Sequence, residues 1–184
     1  MRYMLSDDPK LIARPEPRIP YHLPASQLVV PSVVMKDTFS FFGTHKDVQA
    51  CAFWCGDHGQ EDISIVRAMI VPQQSNSWRR VKVTSKALEA VSDLLEDNGW
   101  KILAQVTTSP GRRAEHTVID DTILVRDGRL SIIFPTARRR AAFPACAGVH
   151  EFQNDYWHLL SQEDVTRRIV FSAIDEHWRI WDLR

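Results

Sequence analysis

From Val48 onward the chain is divided into short runs dense in apolar and β-branched residues, each closed by Gly, Pro, Asp or Gln. This spacing narrows the available folds more than any other feature, because such runs fit strands rather than long helices. VQACAFWC (48–55) and ISIVRAMIV (63–71) read as two strands of a hairpin turning through Gly56 to Gly59. Between Thr84 and Asn98 the period changes: Ala87, Leu88, Val91, Leu94 and Leu95 recur at helical spacing. A Thr or Ser cap stands in front of that segment, and Gly99 stands where a left-handed C-terminal residue belongs. WKILAQV (100–106) is then a buried strand running into the polar turn Thr107, Thr108, Ser109, Pro110, Gly111. Asp121 to Val125 and Leu130 to Phe134 read as further strands with Asp127-Gly128 turning between them, and 135–147 as a surface loop. VHEF, YWHLL and RRIVFSAI carry further strand or short-helix signals, and the tail HWRIWDLR alternates aromatic and charged residues. Strands interleaved with one clear helix predict an α/β domain.

Six of the ten prolines, Pro9, Pro15, Pro17, Pro20, Pro24 and Pro31, precede residue 32. Proline removes backbone donors and blocks helix, so residues 1–31 are expected to form an extended or irregular arm, with the domain over 32–184. Lys plus Arg and Asp plus Glu are equal at 23 each, so no bulk field draws the molecule onto nucleic acid or an anionic membrane. A charged partner must therefore meet a local patch. The three cysteines, Cys51, Cys55 and Cys146, form no even framework, no secretory leader is read ahead of them, and no window approaches about 18 uncharged apolar residues. The expectation is a cytoplasmic protein with no membrane span.

Two separated segments carry a more specific signal. Gln49-Ala-Cys-Ala-Phe-Trp-Cys-Gly56 resembles the early strand of the JAB/MPN (JAMM) metallopeptidase family, where a catalytic Glu opens a run of the form E-x-C-G-x-x-x-G. ILAQVTTSPGRRAEHTVIDD (102–121) is similar to that family's strand followed by H-x-H-P-G and then S-x-x-D-D. LSIIFP (130–135), and GVHEF with the following Trp157, are similar to the later strands of the bacterial members found beside ubiquitin-activating-like and ubiquitin-conjugating-like enzymes. The resemblance runs from about Pro24 into the C-terminal part, with its blocks in the family's order. It implies a cytidine-deaminase-like α/β sandwich: a central mixed sheet flanked by helices, with the 84–98 helix against one face. It also implies, in active members, a zinc held by two His and an Asp, a Glu that activates the metal-bound water, and a Ser that helps hold the oxyanion.

Nearly every one of those groups differs here. Gln49 stands in the place of the Glu, Thr107 and Ser109 in the places of the two His, and Thr117 in the place of the Ser, while Asp120 matches. Zinc needs imidazole, thiolate or carboxylate, so one Asp with two hydroxyls is a poor cage and no metal or other cofactor is expected. Gln keeps the volume of Glu but cannot accept a proton at neutral pH, so no general base remains. The expectation is a catalytically inactive member that serves as a binding or scaffold subunit. Its expected partner is a ubiquitin-like protein or an activating-like or conjugating-like enzyme of a bacterial pathway, in a homo- or hetero-oligomer. Two alternatives stand beside it: a metal-dependent isopeptidase whose site is rebuilt from His116, Asp120, His45, Asp47 or His58, and a purely structural assembly subunit.

The remaining features admit plainer readings as well. Cys51 and Cys55, four apart on a strand, lie about 13 Å apart and cannot share a metal, so they read as buried thiols, leaving Cys146 as the one candidate reactive thiol. Arg112, Arg113, Arg138, Arg139 and Arg140, with Arg79-Arg80, are either a solvated face or a basic rim around the old cleft, suited to an acidic tail. The absence of aromatics among these arginines disfavours nucleic acid. Trp178 and Trp181 are either an interface anchor for another chain or packing across the domain's own sheet.

Overall fold

The computed structural model describes residues 17–45, 47–59, 62–78, 80–111, 114, 127–136, 142–173 and 178–184, with the His58 side chain excluded. In chain order the elements are β1 (Gln27–Pro31), α1 (Ser32–Gly43), β2 (Ala50–His58), β3 (Ile63–Val71), β4 (Gln74–Asn76), β5 (Val81–Val83) and α2 (Ser85–Asn98). They continue with β6 (Lys101–Ser109), β7 (Leu130–Pro135), β8 (Gly148–Gln153), β9 (Tyr156–Leu159), α3 (Gln162–Arg168), β10 (Ile169–Ser172) and β11 (Arg179–Asp182). Among the described residues nine strands form one mixed sheet in the order β10-β1-β3-β2-β6-β7-β8-β9, with β11 paired to β3, while β4 and β5 form a separate ribbon. The α/β class read from the sequence is therefore the class observed. No helix among the described residues is long and apolar enough to cross a membrane.

The 84–98 helix forms for the reasons its sequence gives. The Thr84 hydroxyl accepts from the Ala87 N–H at 3.2 Å, and Gly99 ends the helix at φ 65°. There the N–H groups of Gly99 and Trp100 return to Glu96 and Leu95. β2 and β3 pair antiparallel as expected, but β2 runs on through Gly56 to His58, and the Gly59 N–H donates to the Ile63 carbonyl at the start of β3. Gly56 stays inside β2 at a register shift, where a Cβ would stand 1.9 Å from the Ile65 oxygen; its role is close backbone approach, not turning. The Asp127-Gly128 turn is present, with Gly128 at φ 76°, but the 121–125 strand expected before it lies outside the described residues. β7 pairs in parallel with β6 and antiparallel with β8.

Two elements were not expected. Residues 27–31, placed by the sequence reading in the proline-rich arm, form β1, which lies between β10 and β3 and pairs in parallel with both. α1 follows it directly and buries Val34, Thr38, Phe41 and Phe42. Each helix covers one face of the sheet. Ala50, Ala52 and Trp54 of β2 join a core that includes Val34 and Phe42 of α1, while Cys51, Phe53 and Cys55 join a second core with Val91 and Leu88 of α2. This is the two-residue alternation of a strand buried on both faces.

A buried ion pair ties the arm to the far side of the sheet. Glu151 of β8 is 0% exposed and accepts from the Arg168 guanidinium at 3.2 Å and from the Tyr21 hydroxyl at 2.7 Å. Arg168 also donates to the Ser26 carbonyl, and the Gln153 side chain bonds both backbone groups of His22. Burial, then the neighbouring carboxylate, pushes the Tyr21 phenol well above its ordinary value, so it stays protonated and donating. Removing one partner of such a pair strands a buried charge. Glu151→Ala is expected to lower unfolding free energy by about 3–5 kcal/mol. Glu163→Ala, which breaks the exposed pair with Arg167, should cost at most about 0.5 kcal/mol. Urea midpoints of the two variants check this, and equal midpoints would remove the ion pair from the account of the fold.

Candidate functional site

The sheet register brings the two resembling segments together. β2 runs antiparallel to β6 with Ala50 opposite Thr108 and Cys51 opposite Thr107, so the residues that open β2 lie beside those that close β6. Continuing the register by one residue sets Gln49 across from Ser109. Thr107 lies on the face of Cys51, the side covered by α2, and at strand periodicity Ser109 and Gln49 follow on that side. Thr108 takes the other side, its hydroxyl donating to the Phe134 carbonyl at 3.2 Å. The position lies at the carboxyl ends of the parallel strands β6 and β7, where ligands bind in open α/β sheets. A cavity of about 640 Å³ opens at the opposite end, among Leu28, Ser64, Leu95, Trp100 and Arg129, and none of the expected site residues lines it. The residues marked by the resemblance converge instead at the β2–β6 end, where the strand register joins the two segments.

Local contacts hold this end in shape. The Gln74 carboxamide accepts from the Cys51 N–H and donates to the Cys51 carbonyl, both at 2.8 Å, supplying the pairing that a neighbouring strand would give. The Gln49 N–H donates to the Ser77 carbonyl at 2.8 Å, which fixes the entry to β2 against the ribbon. After Ser109 the chain turns through Gly111 at φ 87°, whose N–H donates to the Thr136 hydroxyl. It then passes so close to β8 that a Cβ on Gly148 would stand 2.1 Å from the Ala114 oxygen.

Of the expected site residues, Gln49, Thr107 and Ser109 are thus brought together. Thr117, Asp120, Arg112, Arg113, Arg138, Arg139 and Arg140 lie outside the described residues. A carboxamide and two hydroxyls, with Thr107 only 4% exposed, do not fit a divalent zinc ion, which takes charged or imidazole donors. Among the described residues no three His, Cys, Asp or Glu side chains cluster to hold a metal. The histidines proposed for a rebuilt site are also scattered. His45 engages the Phe41 carbonyl and the Thr44 hydroxyl through Nδ1. His58 closes β2 at the other end of the sheet, about 26 Å from Ala50 at strand rise, and His116 lies outside the described residues.

Trp178 is half-buried against the α1 core and donates from Nε1 to Asp37 at 2.7 Å, while Trp181 packs in the α2 core from β11. Cys51 and Cys55 are buried free thiols in that same core. Cys146 corrects the expectation of a reactive thiol: it is 1% exposed, and burial raises its thiol above the ordinary value, as it does for Cys55.

The sequence reading assigned no role to a row of polar side chains inside the sheet. Gln105 pairs with Ser131 and Ser131 with His150 across β6, β7 and β8, all three buried. The Gln105 amide nitrogen has no hydrogen-bond partner among the described residues. A polar residue inside each of the otherwise apolar runs ILAQV, LSIIFP and GVHEF was the available signal.

No family model and no curated protein matches the chain. Among solved structures, the solution structure of protein DSY2949 from Desulfitobacterium hafniense is similar, with a TM-score of 0.55 at 15% identity over 82% of this chain and 97% of that one. At that identity the likeness is one of fold, a mixed α/β architecture.

Thiol burial generates a direct test. Iodoacetamide at pH 8 is expected to leave all three cysteines unmodified in the native protein while free cysteine reacts within minutes, and to modify all three after unfolding. Mass spectrometry showing one equivalent incorporated in the native state would contradict the burial of these thiols.

Proposed function

We propose that the chain is a JAB/MPN-like protein whose metal site has lost its ligands, and that it binds rather than cuts. Its partner would be a ubiquitin-like protein, or an activating-like or conjugating-like enzyme, in a bacterial ubiquitin-like pathway of the cytoplasm. The observation that carries this reading is the meeting of Gln49 with Thr107 and Ser109 at adjoining ends of β2 and β6. The resemblance implies a Glu and two His at those three positions. Their replacements are neutral, each donates and accepts hydrogen bonds, and none is a base at neutral pH. Such a donor set suits the backbone of an extended peptide better than it suits an ion. Catalysis of isopeptide hydrolysis would require both an activated water and a proton acceptor, and this donor set supplies neither.

The reading is tested with a ubiquitin-like protein carrying a free C-terminal tail and with an isopeptide-linked conjugate of it. Calorimetry is expected to detect binding in the micromolar range, and the conjugate is expected to stay intact with zinc added. Cleavage abolished by a chelator would overturn the reading in favour of a rebuilt isopeptidase site, and absence of binding would overturn it in favour of a structural subunit. The triple change Gln49→Glu, Thr107→His and Ser109→His is expected to acquire stoichiometric zinc, measured by metal analysis after dialysis. A metal-free triple variant with native circular dichroism would contradict the assignment of these three positions.

A further inference from the structure

β2 is bulged against both of its neighbours at one point. Trp54 pairs with Ala104 and Cys55 with Ile102, which leaves Leu103 without a partner on β2. On the other side Cys55 pairs with Ala68 and Gly56 with Val66, which leaves Arg67 without one. A bulge re-aims the side chain it frees, and here the Arg67 Nε stands 3.4 Å from Asp57 Oδ2. Around this pair β11 sets Arg179 across from Ala68, and the end of α2 delivers Asn98 and Trp100 to the start of β6, where Lys101 pairs with Gly56. Asp57, Arg67, Asn98, Trp100 and Arg179 together line a cleft of about 290 Å³. Asp57 lies about 23 Å along β2 from Ala50 at strand rise, so the cleft is at the opposite end of the strand from Gln49.

The lining holds both signs of charge and leaves both partly unused. Arg179 is exposed and makes no hydrogen bond or ion pair among the described residues. Asp57 has the single 3.4 Å ion pair, and its Oδ1 has no hydrogen-bond partner. The Asn98 amide donates to the Leu94 carbonyl at 2.8 Å, which leaves its oxygen as an acceptor. The carboxyl end of α2 adds partial negative charge beside it. Two guanidiniums are thus set against a carboxylate, an amide oxygen and a helix terminus. A ligand with one charge would meet its own sign on one wall, whereas a ligand with an ammonium and a carboxylate matches both. The volume falls just under the roughly 300–1,000 Å³ of pockets for drug-sized ligands, which suits a molecule of amino-acid size. Trp100 supplies an aromatic surface that the cleft shares with the larger cavity of Leu95 and Ile102.

We infer that this cleft binds a free α-amino acid with an aromatic side chain: Arg179 and Arg67 hold its carboxylate, Asp57 and the Asn98 oxygen hold its ammonium, and its ring packs on Trp100. The inference does not rest on the function proposed for the β2–β6 end.

The test is titration of isotope-labelled protein with L-phenylalanine, read by NMR at the indole N–H resonance of Trp100, which is assigned by its loss in Trp100→Phe. A saturable shift is expected, with a dissociation constant on the order of 0.1–1 mM. Phenylpropionate, which lacks the ammonium, and phenethylamine, which lacks the carboxylate, should each bind about tenfold more weakly or worse. Arg179→Ala and Asp57→Asn should each weaken L-phenylalanine about tenfold. Arg179 is exposed on β11, so its variant is expected to keep the native spectrum and to decide the matter if Asp57→Asn does not fold. Lys82→Ala, on the ribbon, should bind as wild type does. No saturable shift up to about 10 mM, equal affinity for either singly charged analogue, or binding indifferent to Arg179→Ala would each overturn the inference.

Discussion

β2 is hydrogen-bonded along both edges, to β3 and to β6, and buried on both faces, and that double constraint organises the molecule. A strand in this position has no side facing water, so every residue along it must be apolar, small or internally satisfied. ACAFWC meets the demand, with Ala and Trp turned toward α1 and Cys and Phe toward α2. Within that run the Trp54 indole N–H donates to the buried Thr38 hydroxyl on α1. With β2 fixed, the chain reaches β6 by crossing over through α2. That crossover sets the end of β6 beside the beginning of β2.

The meeting of Gln49 with Thr107 and Ser109 is a product of that crossing. Gln49 precedes the first paired residue of β2, and Ser109 is the last residue of β6, so both stand where backbone pairing gives way to loops. Gln74 and Gly148 keep the rim close: one side chain imitates a strand edge, and one missing side chain lets Ala114 approach. The scaffold at this end is held by backbone and amide contacts that do not depend on a metal. It is held together with the neutral residues Gln49, Thr107 and Ser109 at its strand ends, which is what the proposed binding role starts from. The polar row Gln105, Ser131 and His150 lies deeper in the same sheet and shows that buried polarity here extends past the three positions marked by the resemblance.

What the sequence made legible follows from which signals were local. The 84–98 helix announced itself through a threonine cap, a terminal glycine and an apolar stripe, and β2, β3 and β6 through compact apolar runs. α1 was hidden because SVVMKDTFSFF is rich in β-branched and aromatic residues, which carry weak helix propensity. Its buried positions 34, 38, 41 and 42 nevertheless have helical spacing. β1 was hidden by Pro31 at its end and by the prolines before it, and its place depends on parallel partners distant in sequence. The Glu151–Arg168–Tyr21 contact joins residues far apart in the chain, and no local pattern encodes it. At the site, Gln49, Thr107 and Ser109 could be named from motif order, but only the antiparallel register makes them neighbours.

The account as a whole depends on the electrostatics of a carboxamide and two hydroxyls, which offer a doubly charged ion no compensating charge where one of them is already buried. Competition titration of the wild-type protein with zinc against a chromophoric chelator tests this most directly. The chelator is expected to keep the metal, with no protein site tighter than about millimolar, whereas a one-to-one site of micromolar or better affinity that is lost on Gln49→Ala or Ser109→Ala would show that these side chains do hold a divalent ion.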